Sequence, residues 1–140
     1  MVGYQPWLNT GSAQWLRFGS ARTISPFRKV KAACDSRIKD SGIKGVDCGT
    51  VHTFQGKEAE IVFLVLGTAP GEAGSGARAW ASGKPNLLNV AITRAKCRLY
   101  VIGDAAQWGG LNHFADLHQA LPIRQPLQNE TGLAQAAVSP

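Results

Sequence analysis

The fold of this chain is decided by the stretch GTVHTFQGKEAE (residues 49–60), which runs directly into the apolar stretch IVFLVLG (residues 61–67). The apolar stretch is short, continuous and rich in β-branched residues, a pattern that predicts a strand buried in a sheet. The stretch before it places hydroxyl, imidazole, amide and carboxylate groups close together. Because α/β proteins bind ligands on loops at the ends of buried strands, we predict that this polar loop recognises a ligand with many donors and acceptors.

The composition limits the size and class of the protein. A chain of 140 residues, 44% of them hydrophobic and 17% charged, has the size and make-up of one ordinary globular domain. No apolar run approaches the ~20 residues that span a bilayer, and the N-terminus lacks the pattern of a secretory signal. We therefore expect no membrane partner and a cytoplasmic location. The net charge of +6 favours polyanions such as nucleic acids or nucleotides, but only weakly.

The cysteines indicate no metal site. Cys34, Cys48 and Cys97 are odd in number, widely spaced and form no CxxC pair. Neither a zinc site nor a disulfide framework follows from this spacing, so we predict no metal ligands. We expect reduced thiols that pack as small buried hydrophobic side chains.

Short apolar stretches alternate with helical patterns along most of the chain. Strands are predicted over residues 23–25, 45–50, 61–67 and 99–104, and helices over residues 28–40, 86–96 and 111–121. Gly42 is predicted to stop the first helix, and Asn86 to cap the second. The Gly- and Pro-containing stretch 68–78 is predicted to be a flexible surface loop. This alternation is typical of parallel βαβ units, an α/β sheet with helices on its faces.

The topology of such a sheet predicts where its loops meet. Right-handed crossovers place the loops that follow each strand along one edge. We therefore expect residues 25–28 and the polar loop near Gln55 to lie together there, at an edge suited to an anionic ligand. Arg94, near the end of its helix, is not placed by this argument. Residues 1–22 are predicted to be a poorly ordered arm, 23–121 the folded domain, and 122–140 a polar, loosely ordered tail.

Three stretches resemble motifs of superfamily 1 helicases. Residues 49–58 look like motif V, and residues 86–96 look like motif VI, followed by a strand as in that family. Residues 24–28 are similar to motif IV. The order and spacing resemble the C-terminal RecA-like domain of these DNA or RNA helicases over residues 23–121. The resemblance implies a RecA-like sheet of the P-loop NTPase type with flanking helices, here incomplete.

The resemblance also implies roles at a nucleotide site. Arg94 would be the arginine finger, whose planar guanidinium stabilises charge on the transferring phosphoryl group. Gln55 would be a second catalytic residue, similar to the family glutamine that links the γ-phosphate region to the nucleic-acid groove. Glu58 would accept a hydrogen bond from the ribose, and Gly56 would permit close backbone approach.

Further roles concern phosphate contacts. By resemblance, Thr50 and His52 would touch the backbone of single-stranded DNA or RNA, contacts that fix position without reading sequence. Many relatives carry glutamine and arginine shortly after the motif IV aromatic, where this chain has Val30 and Lys31. A second phosphate-contacting cation at the nucleotide is then Arg28 or Lys31, and the sequence does not choose between them.

Several of these residues also have plainer interpretations. An arginine near a helix C-terminus, like Arg94, interacts favourably with the helix dipole. His52 can be interpreted as an ordinary hydrogen-bonded histidine, and Glu60 as part of a solvated turn. The basic residues of the first helix are most simply a solvated face.

The phosphate-cradling half of a helicase motor is missing from the sequence. No GxxxxGK[ST] occurs, because Gly56-Lys57 is followed by Glu58 and Gly83-Lys84 by Pro85. ATP with Mg²⁺ is therefore expected to bind only together with a missing N-terminal RecA-like domain. The prediction is the C-terminal motor portion of an ATP-dependent helicase, a fragment inactive as an NTP hydrolase when alone. The alternatives are a non-catalytic nucleic-acid-binding module or an inactive helicase remnant.

Overall fold

Four parallel strands form the centre of the computed structural model, which describes residues 20–54 and 56–122. The strands are β1 (Ala21–Ser25), β2 (Val46–Thr50), β3 (Ala59–Val65) and β4 (Ala95–Ile102). The helices are α1 (Arg28–Ser41), α2 (Ser75–Ser82), α3 (Pro85–Thr93), α4 (Ala105–Trp108) and α5 (Asn112–Ala120). The strand order is β2-β1-β3-β4 with every pairing parallel. The predicted fold class, a RecA-like α/β sheet with flanking helices, is confirmed.

The structure describes only a small part of the predicted arm and tail. β1 begins at Ala21, so the sheet takes in the last two residues assigned to the arm. Residues 1–19 of the arm and the tail from Ile123 onward lie outside the described residues, as does Gln55. In the part of the chain that is described, no helix combines the length and apolar character needed to cross a membrane.

The predicted buried strand exists, but it begins two residues earlier and buries one face more completely than the other. Val62 and Leu64 are fully buried and point to the same side as Ile24 of β1 and Val101 of β4. Phe63, on the opposite face, is only half-buried and stacks on Tyr100 with ring centroids 5.2 Å apart. Alternation of side chains along a strand explains the difference, since helices cover the first face more fully.

Helix α1 lies against β1 and β2 and ends as predicted. Gly42 adopts the left-handed conformation with φ of 69°, and its N–H donates to the carbonyl of Lys39. Val30 packs close to Gly67, where an added Cβ would come within 3.1 Å of a Val30 methyl group. The side facing the sheet is only half-buried, and no residue of α1 is fully buried.

The predicted flexible loop over residues 68–78 is wrong. A 3-10 turn at Gly71–Gly74 leads directly into α2, and Arg78 on that helix is buried. The guanidinium of Arg78 donates to the Thr68 hydroxyl at 3.2 Å and to the carbonyl of Ala69 at 2.9 Å, and also to that of Gly71. These bonds order a stretch whose glycine content alone predicts flexibility.

The boundary between α3 and β4 also differs from the prediction. Pro85 occupies the first turn of α3 and Lys84 its N-cap, so Asn86 does not cap the helix. A proline is favoured there because its fixed φ suits a first helical position that needs no N–H donor. The helix ends at Thr93, and β4 begins at Ala95 rather than at residue 99. Arg94 therefore lies in the short connection between a helix and a strand.

The core and the thiols follow the predictions unevenly. Trp108 and Phe114 are core residues, each 1% exposed, with ring centroids 4.7 Å apart. Burial raises the pKa of the Cys34 and Cys48 thiols, which are half-buried. The prediction is wrong for Cys97, which is exposed and whose thiol donates to the Glu60 carboxylate at 2.9 Å. It lies on the less covered part of the sheet.

The close packing of the 3-10 turn predicts that Gly74 tolerates no side chain. A Cβ at this position would overlap the Ala69 carbonyl oxygen and crowd the Arg78 guanidinium. We expect Gly74→Ala to lower the free energy of unfolding by about 1–3 kcal/mol, because backbone must move to relieve the overlap. The measurement is urea denaturation followed by circular dichroism.

The matched control is Gly76→Ala on the same segment, where an added Cβ meets nothing within 4 Å. Replacing this helical glycine should leave stability unchanged or raise it by up to about 1 kcal/mol. Equal stability of the Gly74→Ala and Gly76→Ala proteins would contradict the tight packing of the turn.

Candidate functional site

The polar loop connects opposite edges of the sheet. Thr50 ends β2 and pairs with Ser25, the last residue of β1, so both lie at what we call the C-terminal edge. Ala59 begins β3 and pairs with Ala95, the first residue of β4, at what we call the N-terminal edge. At ~3.3 Å per residue, the two ends of β3 are roughly 20 Å apart. The loop 51–58 therefore spans most of the height of the sheet.

The path of this loop differs from the prediction that loops meet at one edge of the sheet. Residues 25–28 and the polar loop near Gln55 were predicted to share one edge; Gln55 lies outside the described residues, but the loop leads to Ala59 at the opposite edge. β2 and β3 are parallel, and the residues described between them form no helix. The connection must therefore return across the face of the sheet before β3 can begin. Only its start, the turn over residues 50–53, stays near residues 25–28.

A tight turn opens the loop at the C-terminal edge. The N–H of Thr53 donates to the Thr50 carbonyl at 3.0 Å, and the two threonine hydroxyls are also 3.0 Å apart. Val51 is buried beneath the turn, whereas His52 is exposed. The turn thus presents hydroxyl and imidazole groups to solvent on a firmly anchored backbone.

The middle of the loop is fastened to β1 and β2. Phe54 is 5% exposed and packs so closely over Gly49 that a Cβ there would lie 2.7 Å from its ring. The guanidinium carbon of Arg22 lies 4.8 Å from the centre of the Phe54 ring. The Nε of Arg22 is also 3.9 Å from the Asp47 carboxylate. Sequence reasoning missed Arg22, because only folding brings it to Phe54.

The end of the loop meets Arg94 at the N-terminal edge. Gly56 has φ of 80°, a conformation that glycine adopts readily. The Glu58 carboxylate lies 3.4 Å from the ammonium of Lys96, and both side chains are about half exposed. The N–H of Ala59 donates to the Arg94 carbonyl at 2.8 Å, which joins the loop end to the α3–β4 connection. The structure thus brings Glu58 and Arg94 to one edge, with Gly56 two residues before Glu58 on the loop.

The Arg94 side chain is only partly engaged. Its Nη2 donates to the Thr93 hydroxyl at 3.3 Å, while its Nε is buried without a hydrogen-bond partner among the described residues. An unpaired buried donor is unfavourable by about 1–3 kcal/mol, so an acceptor at this point would be stabilising. A phosphate oxygen is an acceptor of the required kind.

Arg28 and Lys31 lie away from Arg94. Arg28 is the first residue of α1, next to the C-terminal edge, and is exposed. Lys31, one turn later, has its ammonium 3.8 Å from the Asp35 carboxylate. A hydrogen bond from Lys39 lowers the pKa of Asp35, so this carboxylate stays charged beside both lysines. The structure does not bring either predicted second cation to the edge that carries Arg94 and Glu58.

Comparison with known proteins places the chain in a family. A family model described as "AAA domain" matches residues 8–106, a range that includes all four strands and the polar loop. The chain belongs to the AAA domain family. It is also similar to a protein named "Probable helicase" from Dictyostelium discoideum, with 31% identity over 114 residues. That match covers 75% of this chain but only 11% of the relative's length.

The fastening of the loop predicts an energetic coupling between Arg22 and Phe54. In a double-mutant cycle with Arg22→Met and Phe54→Leu, we expect a coupling of about 0.5–1 kcal/mol, since each change removes the same cation–π contact. The measurement is the free energy of unfolding of the four proteins. Arg22→Met combined with Phe63→Leu serves as the control, because Phe63 lies on the other face of the sheet. Additive effects in both cycles would show that the contact does not hold the loop.

Proposed function

We propose that this chain is the C-terminal RecA-like portion of a superfamily 1 nucleic-acid helicase motor. The observation that carries the proposal is the path of the polar loop, whose two ends lie at opposite edges of the sheet. Its Thr50 end faces one edge, and its Glu58 end joins Arg94 at the other. A motor must couple a nucleotide site to a nucleic-acid site, and a loop that reaches both edges could contact both sites. Membership of the AAA domain family and similarity to a probable helicase support the proposal.

The N-terminal edge is proposed to form one wall of a nucleotide site. Arg94 would donate to the phosphates, since its Nε has no partner within residues 20–54 and 56–122 and its residue caps the end of a helix. Glu58 would exchange its exposed ion pair with Lys96 for a ribose hydroxyl at little cost, because exposed pairs contribute only about 0–1 kcal/mol. Bound ATP would supply the phosphoanhydride bond that the complete motor cleaves. Gln55, adjacent to Gly56, keeps its proposed catalytic role by resemblance.

The other wall of that site is proposed to come from a missing N-terminal RecA-like domain. The sequence contains no phosphate-cradling P-loop. The described residues also contain no cluster of three side chains that suits a metal ion. These residues therefore do not fit Mg²⁺, and no step through that ion is assigned to this chain. The chain alone is expected to hydrolyse no ATP.

The C-terminal edge is proposed to contact single-stranded DNA or RNA. Thr50 and His52 lie on the anchored turn at this edge, and Arg28 is exposed at the start of α1 beside it. The geometry favours Arg28 and Lys31 as contacts to the nucleic-acid backbone rather than to the nucleotide, because they share the edge of Thr50. Cations and hydroxyls suit phosphates without selecting a sequence.

A second candidate is a nucleic-acid-binding module without motor activity. It is favoured by one asymmetry between the two edges. The groups at the C-terminal edge can contact a strand without another domain, whereas the nucleotide edge offers only one wall. The two functions differ in whether adding the upstream RecA-like half restores ATP hydrolysis that depends on Arg94.

Because the two edges are assigned different ligands, we predict that substitutions at the two edges affect strand binding differently. We expect Thr50→Ala to weaken binding of a fluorescein-labelled oligothymidylate by about 2–10-fold, the loss of one hydrogen bond to phosphate. Arg94→Ala should leave this affinity unchanged, because Arg94 lies at the opposite edge. Fluorescence anisotropy titrations of the 140-residue chain measure both.

The controls are a distant hydroxyl and an ATPase assay. Ser36→Ala, on the exposed side of α1, should bind the strand as the unchanged chain does. Steady ATP turnover by the purified chain that Arg94→Ala abolishes would contradict the proposed incomplete site. Equal losses of strand affinity from Thr50→Ala and Arg94→Ala would contradict the assignment of separate edges.

A further inference from the structure

A half-exposed tryptophan stands at the C-terminal edge, outside every motif that the sequence presents. Trp80 on α2 is 47% exposed. Its ring centroid lies 6.3 Å from that of Phe27, which follows β1 at this edge. Phe27 in turn lies 6.2 Å from Trp108, which follows β4. Trp80 is thus the exposed member of an aromatic group whose other members line the ends of the strands.

The helix that carries Trp80 is held firmly. Arg78, Ala81 and Ser82 on the same helix are buried. Arg78 also fixes the preceding turn through its bonds to Thr68, Ala69 and Gly71. Trp80 therefore projects from a rigid element, so an approaching ring would meet a surface that is already in place.

One cation contacts this ring, and two more follow its neighbour Phe27 in the sequence. The ammonium of Lys84 lies 5.5 Å from the centre of the Trp80 ring. Arg28 and Lys29 are exposed directly after Phe27. An aromatic face beside cations is the combination with which proteins hold single strands, since bases stack on the ring and phosphates pair with the cations.

We propose that Trp80 and Lys84 form a stacking site for one base of a single-stranded nucleic acid. The base stacks on the indole, and the Lys84 ammonium moves from the ring to the adjoining phosphate. A second protein is the less favoured occupant, because interface cores are depleted in charge whereas this aromatic surface lies among cations. The site rests on the proposed function and extends it, because it continues the edge that carries Thr50 and Arg28 to a third segment of the chain.

The test compares two strands and several variants of the full chain. The first probe is a fluorescein-labelled oligothymidylate, and the second is a strand of equal length whose residues all lack bases. We expect Trp80→Ala to weaken binding of oligothymidylate by about tenfold and to leave binding of the abasic strand unchanged. Trp80→Phe, which keeps an aromatic face, should retain most of the affinity.

Lys84 is tested through the salt dependence of binding. We expect Lys84→Ala to reduce the slope of log affinity against log salt by about one on both strands, since one phosphate contact is lost. Trp80→Ala should leave this slope unchanged. Ile43→Ala and Lys44→Ala are the matched controls, because both residues are exposed and lie between α1 and β2 at the N-terminal edge.

The outcomes separate the stacking site from the function on which it rests. If Thr50→Ala weakens binding of oligothymidylate and Trp80→Ala does not, the stacking site is overturned but the proposed function stands. The exposed ring would then be assigned to contact with a protein partner. Equal losses on both strands with Trp80→Ala also overturn it, since a purely structural defect does not distinguish bases from backbone. If the unchanged chain binds neither strand, the proposed function falls together with the site. A weaker affinity of the unchanged chain for the abasic strand supports base stacking without any change to the protein.

Discussion

The parallel pairing of β3 between β1 and β4 is the constraint on which the other features of the site depend. A strand parallel to its predecessor must begin at the edge where that predecessor also began. β2 ends at Thr50 and β3 begins at Ala59, so the short connection between them crosses the face of the sheet. The residues of one continuous polar stretch are thereby divided between two edges. Neither edge could carry its present groups if the two strands were antiparallel.

The crossing is stable because its middle is hydrophobic. Val51 and Phe54 are buried, and each contributes on the order of 1.5–3 kcal/mol relative to an exposed position. The guanidinium of Arg22, on β1, packs against the Phe54 ring. The polar groups remain at the two ends, where burial is lower. The loop is thus a packed segment whose two ends are exposed, and this arrangement allows contacts at both edges without exposing the centre.

The sequence predicted the fold well and the neighbourhoods of individual residues less well. Periodicity and β-branched stretches identified all four strands, because those signals are local. The α2 helix was missed because its glycines indicate a loop, while the Arg78 bonds that order it join residues through folding. Trp80 and Arg22 went unnoticed for the same reason, since only the fold places them beside Phe27 and Phe54. The two edges became distinguishable only when strand register was known.

Two arginines show how hydrogen bonding separates a structural side chain from one available to a ligand. The guanidinium of Arg78 is buried and donates to a hydroxyl and two carbonyls of the preceding turn, so few of its N–H donors remain for a ligand. Arg94 is half-buried and donates to one neighbouring hydroxyl, and its Nε has no partner in the part of the chain that the structure describes. A fold retains an unsatisfied buried donor at a cost of about 1–3 kcal/mol, which an anionic acceptor would remove. Of these two side chains, only Arg94 has a buried donor without a partner among the described residues, and it lies at the edge where the polar loop ends.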